Sequence, residues 1–286
     1  MIRRSIALAA VGFGLALSAP ARAEEPPAPP GTFRVCADPN NLPFSNEAKQ
    51  GFENKLADLI GQALGQEVTY YWHAQRRGFV RQTLKAQNCD VVMGMPTSLD
   101  MITPTKPYYR STYVFVSRAD RHLDIASIKD PRLHDLKIGV QLIGNDGFDT
   151  PPAHALSEQG MVKNIVGYMV YGDYTQPNPP ARIVQAVANG DVDIAAVWGP
   201  LAGYFAKQSK VPLTVTPITD TESFKPLLFQ FSISLGVRKG NVSLKNKLDA
   251  ILTEKQSEIQ ALLQSYGIPT VPIPVRASEA RVDSSK

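Results

Sequence analysis

The stretch Thr32–Trp72, TFRVCADPNNLPFSNEAKQGFENKLADLIGQALGQEVTYYW, decides the fold. Thr32 to Asp38 is a short apolar strand, stopped by Pro39-Asn40-Asn41. From Asn54 to Leu64 the apolar residues Leu56, Leu59, Ile60, Ala63 and Leu64 recur at i, i+3 and i+4, the stripe of a helix packed on a sheet, and Gly65 is its C-cap. Glu67 to Trp72 is a second strand. Strand, helix, strand in this order predicts an α/β sheet built from crossover units.

Outward from that unit the same reading continues. Gly78 to Gln87 predicts a second helix, and Asp90 to Met93 a third strand ending at Gly94. The pattern then restarts: a strand at Leu136–Val140 enters a Gly144-Asn145-Asp146-Gly147 loop, followed by a helix from Pro152 to Gln159 and a strand at Asn164–Tyr171. An amphipathic helix at Ala181–Ala188 precedes a strand at Val192–Val197, ended by Trp198-Gly199-Pro200. Phe231 to Val237 is a long strand, and Leu244 to Tyr266 one long final helix closed by Gly267 and Pro269. Two halves of similar plan, with Tyr113–Val116 and Phe231–Val237 as crossing strands, predict a discontinuous lobe, an inserted lobe and a cleft between them.

The chain has 286 residues, 43% hydrophobic, 20% charged and 8% aromatic, within the range of soluble globular proteins. Met1 to Ala23 reads as a secretory signal: Arg3 and Arg4 start it, Ile6–Leu17 is its apolar run, and Ala21-Arg22-Ala23 offers cleavage after Ala23. A membrane anchor would need roughly 18 or more apolar residues, so the chain reads as not membrane-spanning. Taking Arg3, Arg4 and Arg22 from 30 basic residues leaves 27 against 26 acidic ones. Near neutrality gives no electrostatic footprint for nucleic acid, and that class is excluded. Residues 24–31 form a proline-rich leader, and 277–286 a polar, frayed tail. An exported chain of this kind points to a bacterial periplasm. Its two cysteines, Cys36 and Cys89, form neither CxxC nor CxxCH and are too few for an iron–sulfur cluster.

Several strings resemble a known family. Asp38-Pro39-x-x-x-Pro43-Phe44, Gly51-Phe52-Glu53, Asp90-Val91-Val92-Met93-Gly94-Met95, Pro107-Tyr108-Tyr109 and Gly190-Asp191-Val192-Asp193-Ile194-Ala195 are similar to landmarks of type II periplasmic solute-binding proteins. That resemblance implies a two-lobe α/β fold, with a first lobe of residues 32–116 and 231–276 and a second of 117–230. Cys36–Phe44, Gln75-Arg76-Arg77-Gly78-Phe79, Pro107–Phe115 and Gly199–Phe205 narrow it to the MxaJ/XoxJ-type proteins associated with quinoprotein dehydrogenases, on the XoxJ side. The resemblance implies a non-enzymatic accessory factor, without a cofactor of its own. Its partner would be a quinoprotein methanol dehydrogenase that uses pyrroloquinoline quinone and, on the XoxJ side, a lanthanide.

In the amino-acid-binding members an arginine takes the ligand carboxylate and an acid takes its ammonium. Those positions fall here on Met101 and Trp198, and no arginine lies between Gly94 and Tyr109. An amino acid would bring two charges without partners, at a cost of several kcal/mol. The cleft and partner candidates are Asp38, Phe44, Trp72, Arg76, Arg77, Tyr108, Tyr109, Trp198, Tyr204 and Phe205. Aromatic and arginine side chains in such a cluster suit a partner segment or an aromatic, multiply acidic small molecule, of which the quinone is one; ordinary lobe packing with solvated arginines accounts for them equally well. Tyr168, Tyr171 and Tyr174 lie in a stretch stiffened by Pro177, Pro179 and Pro180, which suits protein recognition or, equally, a strand and its turn.

His73, His122, His134 and His154 lack metal-ligand spacing, so no metal site is expected; Asp146 and Asp149 lack the EF-hand spacing. Asp90 and Asp193 read as structural acids at strand starts. For Cys36 and Cys89 the oxidising compartment favours a disulfide. Strand register opposes it, placing them about 10 Å apart against a limit of about 7 Å between Cα atoms. Two other functions stay open: a receptor delivering a small non-amino-acid ligand to an ABC importer, and an enzyme using Asp38 or Glu53, neither of which has an evident partner in the sequence.

Overall fold

A computed structural model describes residues 31–143, 149–171 and 173–274. The signal segment, the leader up to Pro30, the 144–147 loop with Asp146 and the 277–286 tail lie outside the described residues. The first half holds β1 (Thr32–Ala37), β2 (Asn40–Asn41), β3 (Ser45–Asn46), α1 (Phe52–Leu64), β4 (Glu67–Trp72), α2 (Phe79–Gln82), β5 (Val91–Pro96), β6 (Thr103–Pro104) and β7 (Tyr109–Arg118). There follow β8 (Ile138–Leu142), α3 (Pro151–Glu158), β9 (Ile165–Met169), α4 (Arg182–Asn189), β10 (Ile194–Trp198), α5 (Gly199–Gln208) and β11 (Leu213–Pro217). The chain returns through β12 (Gln230–Val237), α6 (Val242–Glu254) and α7 (Gln256–Ser265).

The strands run in the order β4-β1-β5-β12-β7-β10-β8-β9. β1 pairs in parallel with β4 and β5, and β8 with β9 and β10, as helical crossovers require. β7 joins the two sets: Tyr109–Thr112 pairs with β12, whereas Tyr113–Ser117 pairs with β10 and Val114–Arg118 with β11. The switch of partners falls between Thr112 and Tyr113, at the start of the Tyr113–Val116 segment expected to cross between lobes.

Alternation along each strand builds a core on both faces. Phe33, Val35 and Ala37 of β1 face Phe52, Leu56 and Ile60 of α1, while Cys36 faces Phe79, Val80 and Leu84. In β7, Tyr113 and Phe115 join Ile138 and Leu156, while Val114 and Val116 meet Ile183, Val187 and Leu201. Leu248, Ile251 and Leu252 of α6 and Ile259 and Leu263 of α7 return to the first core. Trp198 and Phe231 touch the first and second cores together.

Two helix expectations are corrected, and of the two opposed readings of the cysteines the bonded one holds. The helix expected over Gly78–Gln87 is α-helical only at Phe79–Gln82. Thr83 donates its hydroxyl to Phe79 O and leaves the helix at φ −116° and ψ −85°, the backbone competition that threonine offers. The single final helix is two, divided at Lys255 (φ −91°, ψ 13°) with no glycine or proline to mark the break. Cys36 and Cys89 form a disulfide with Cα atoms 5.5 Å apart, so the register argument fails. It carried the axis of β5 straight back through Cys89. Gln87 instead takes φ 64°, the Asp90 N–H donates to Arg34 O, and the turn lays Cys89 over Cys36.

Candidate cleft site

The carboxyl ends of β1, β5, β8 and β10 converge between the halves, where ligand crevices form in α/β sheets. Beside them lies a cavity of about 490 Å³ lined by aromatic rings, Phe44, Tyr109, Tyr113, Trp198 and Phe231 among them. The Trp198 ring meets Tyr113 edge-on at 5.3 Å and Phe231 at 5.8 Å between centroids. Its backbone N–H donates to Gln141 Oε1 at 2.8 Å, and Thr150 donates its hydroxyl to Gln141 O at 2.6 Å, so β8 and β10 hold the wall together.

The floor is set by the turn into α1. Gly51 permits a close return of the chain: a Cβ there would lie 2.0 Å from Phe44 O. Asn54 Oδ1 accepts from the N–H groups of Gly51 (3.1 Å) and Asn46 (3.2 Å), fixing the first turn that carries Glu53. Glu53 is 7% exposed, lines the cavity, and its Oε1 lacks a hydrogen-bond partner. Burial, reinforced by the charge of Asp38, pushes its carboxyl up to about 8. Gly94 sits against it at φ 65°, and a Cβ there would lie 2.2 Å from Glu53 Oε1. Burial and then the Glu53 charge raise Tyr109, and do the same for Tyr108.

Across the mouth the second half reaches the first. Asp38, buried at the end of β1, accepts from the N–H groups of Asn40 (2.8 Å) and Gln75 (2.5 Å) and from the Tyr174 hydroxyl. Burial and then the bond donated to Asp38 raise the Tyr174 phenol. The Arg76 guanidinium lies 4.7 Å from the Tyr174 ring centre. Asn40 donates to Gln176 O at 2.9 Å and accepts from Asn178 N–H at 3.0 Å. Residues 174–178 thus latch the two halves.

Of the candidates, Phe44, Arg76, Tyr109 and Trp198 line the cavity, joined by Tyr171 and Tyr174. Asp38 lies under the latch. The others do not line it. Trp72 stacks on Tyr70 at 4.6 Å, Tyr108 is buried beside Tyr109, Tyr204 stacks on Tyr266 at 5.7 Å, and Phe205 packs on the core around Val114 and Ile183. Arg77 is exposed, and Tyr168 is half-buried against that same core. The strand-start acids are structural: Asp90 bonds Arg34 and Arg238, and Asp193 bonds Arg121 and the Lys137 N–H. Desolvation opposes the ionisation of Asp90, but Arg34 and then Arg238 hold it below the usual carboxylate range. Met101, the position at which the resemblance to amino-acid-binding members implied an arginine, lines the cavity. Glu53, expected only as a candidate acid for an enzyme in the cleft, is a cavity acid at the N-terminus of α1, opposite Gly94.

The sequence profile of the bacterial extracellular solute-binding proteins, family 3, matches residues 33–268. The chain belongs to that family. Among these solute-binding proteins it is 33% identical to protein MoxJ of Methylorubrum extorquens over 270 residues, 90% of this chain and 87% of the relative. It is 29% identical to protein MoxJ of Paracoccus denitrificans, over 90% and 94% of the two chains. The crystal structure of periplasmic binding protein XoxJ from Methylobacterium extorquens AM1 superposes with a TM-score of 0.70 at 36% identity, covering 85% of this chain and 100% of that one. The chain is a solute-binding protein of the MxaJ/XoxJ type, with the type II periplasmic binding protein fold. Among the described residues no helix is long and apolar enough to cross a membrane, and no cluster of three His, Cys, Asp or Glu could hold a metal ion.

Proposed function

We propose that this solute-binding protein is a periplasmic accessory factor of a lanthanide-type quinoprotein methanol dehydrogenase, and that it docks on the enzyme through the end of β9 and the segment that follows it. The observation that carries the reading is the latch. A transport receptor closes on its ligand; here the chain's own Tyr174 takes the Asp38 carboxylate, and its ring faces Arg76, the guanidinium that lines the cavity. The similarity to the MoxJ proteins supports a setting in methanol oxidation. Tyr168, Met169 and Tyr171 give the docking segment large side chains, and Met169 is 41% exposed.

The test is a pull-down of the mature chain from the periplasm of methanol-grown cells, beside a Met169→Asp variant. Recovery of a quinoprotein dehydrogenase with the wild type, and its loss with the variant, supports docking. Absence of the enzyme from the wild-type eluate overturns it. The second reading, a receptor for an importer, is favoured by the cleft cavity of about 490 Å³. It requires a small ligand to raise the melting temperature while no dehydrogenase binds.

A further inference from the structure

Glu53 at the cleft floor has no part in docking. Its Oε1 is buried without a hydrogen-bond partner, an arrangement that costs free energy unless a donor arrives. The groups packed about it supply no cation: Asp38 at the end of β1, Asn54 beside it on α1, Tyr70 of β4, Gly94 of β5, and Tyr108 and Tyr109 at the start of β7. Lys49 Nζ stands over the Tyr70 ring at 5.3 Å and Arg76 over the Tyr174 ring at 4.7 Å, and neither forms an ion pair with Glu53. The walls above are ring faces and edges from Phe44, Tyr109, Tyr113, Trp198 and Phe231. Aromatic walls attract cations, and a desolvated carboxyl gains most from a charge-assisted donor. The guanidinium that lines the same cavity, Arg76, stands over the Tyr174 ring and not on Glu53.

We propose that the cleft binds a small organic ammonium ion, its N–H donated to Glu53 and its carbon frame held by Tyr113, Trp198 and Phe231. The volume suits a small molecule. Binding is coupled to a proton: the neutral Glu53 carboxyl gives up its proton to solvent as the protonated amine enters, leaving a carboxylate–ammonium pair. The site stands on Glu53 and not on the docking segment, so each reading can fail without the other.

The probe is 2-phenylethylamine, compared with neutral 2-phenylethanol by calorimetry at pH 7 in two buffers of different ionisation enthalpy. With burial pushing Glu53 up to about 8 in the empty cleft, the buffer dependence should report a release of between about half a proton and one proton per amine bound. The alcohol should bind about tenfold more weakly or worse, and release none. Glu53→Gln should lose about tenfold in amine affinity while it still unfolds cooperatively in urea. Equal affinity for amine and alcohol, amine binding without proton release, or no amine binding at millimolar concentration would each overturn the proposal. The proton count is read on the wild-type chain, so the result does not depend on the variant folding.

Discussion

Replacing Glu53 by Gln removes one titration from the cleft floor while keeping the size and neutrality of the protonated acid. The native carboxyl titrates at about 8 and the free one at 4.5. Between those values the native state holds a proton that the unfolded chain has lost, so this group's contribution to stability is complete below pH 4.5, declines as pH rises, and is gone above about 8. Each unit of pKa difference is worth about 1.4 kcal/mol, so the contribution lost between pH 5 and pH 8 is on the order of a few kcal/mol. Other titrations, the Asp90 pairs with Arg34 and Arg238 among them, are common to both chains and cancel in the difference. Urea unfolding of both proteins at pH 5, 6, 7 and 8 measures it: the stability of Glu53→Gln relative to wild type should climb steadily across the series. A difference that stays level from pH 5 to pH 8 would refute a buried, proton-holding Glu53.

Tyr174→Phe removes the hydroxyl donated to Asp38, a bond to a charged group worth about 1.5–3 kcal/mol, and should open the halves. Small-angle scattering should show a larger radius of gyration; an unchanged one would mean that the latch does not hold the cleft closed. Replacing Cys36 and Cys89 together by Ser should cost about 4 kcal/mol, from a cross-link spanning 53 residues in the chain-entropy estimate, and a loss below about 1 kcal/mol in urea unfolding would contradict it. Gly203→Ala should lower the melting temperature, with a loss of about 1–3 kcal/mol: its Cβ would stand 2.0 Å from Gly267 O, and backbone must move to admit it. A melting temperature at or above the wild-type value would show that α5 and the 267–269 segment can part at no cost.

The layout of the sheet was legible because periodicity reports it. Leu56, Leu59 and Ile60 mark α1, and the restart after Leu136 marks the second set of parallel strands. The switch of β7 between two sets of neighbours was only approached, since Tyr113–Val116 reads the same whichever strand it pairs with. The break at Lys255 had no local mark: it is imposed by packing that draws Ile251 and Ile259 into one core. The disulfide was misjudged in register because a turn before β5, and not the strand, places Cys89.

At the site, residues carried by ring chemistry were easier to name than to place. Trp198, Phe44 and Tyr109 reach the cavity, yet Tyr204 and Phe205 share the helix that follows Trp198 and turn to other cores. Glu53 was visible as an acid without an evident partner. Its meaning depends on the φ of Gly94 and on the depth of the floor, which only the folded chain supplies. The latch joins Asp38 to Tyr174 across 136 residues, a pairing for which neither segment carries a spacing signal.

The most direct test of the docking reading is a titration of the purified mature chain against the purified quinoprotein dehydrogenase from the same periplasm, read by interferometry at physiological salt. Saturable binding by the wild type that weakens about tenfold or more in Met169→Asp is the predicted result. No saturable signal with the active dehydrogenase, from a wild-type chain that still unfolds cooperatively, would contradict it.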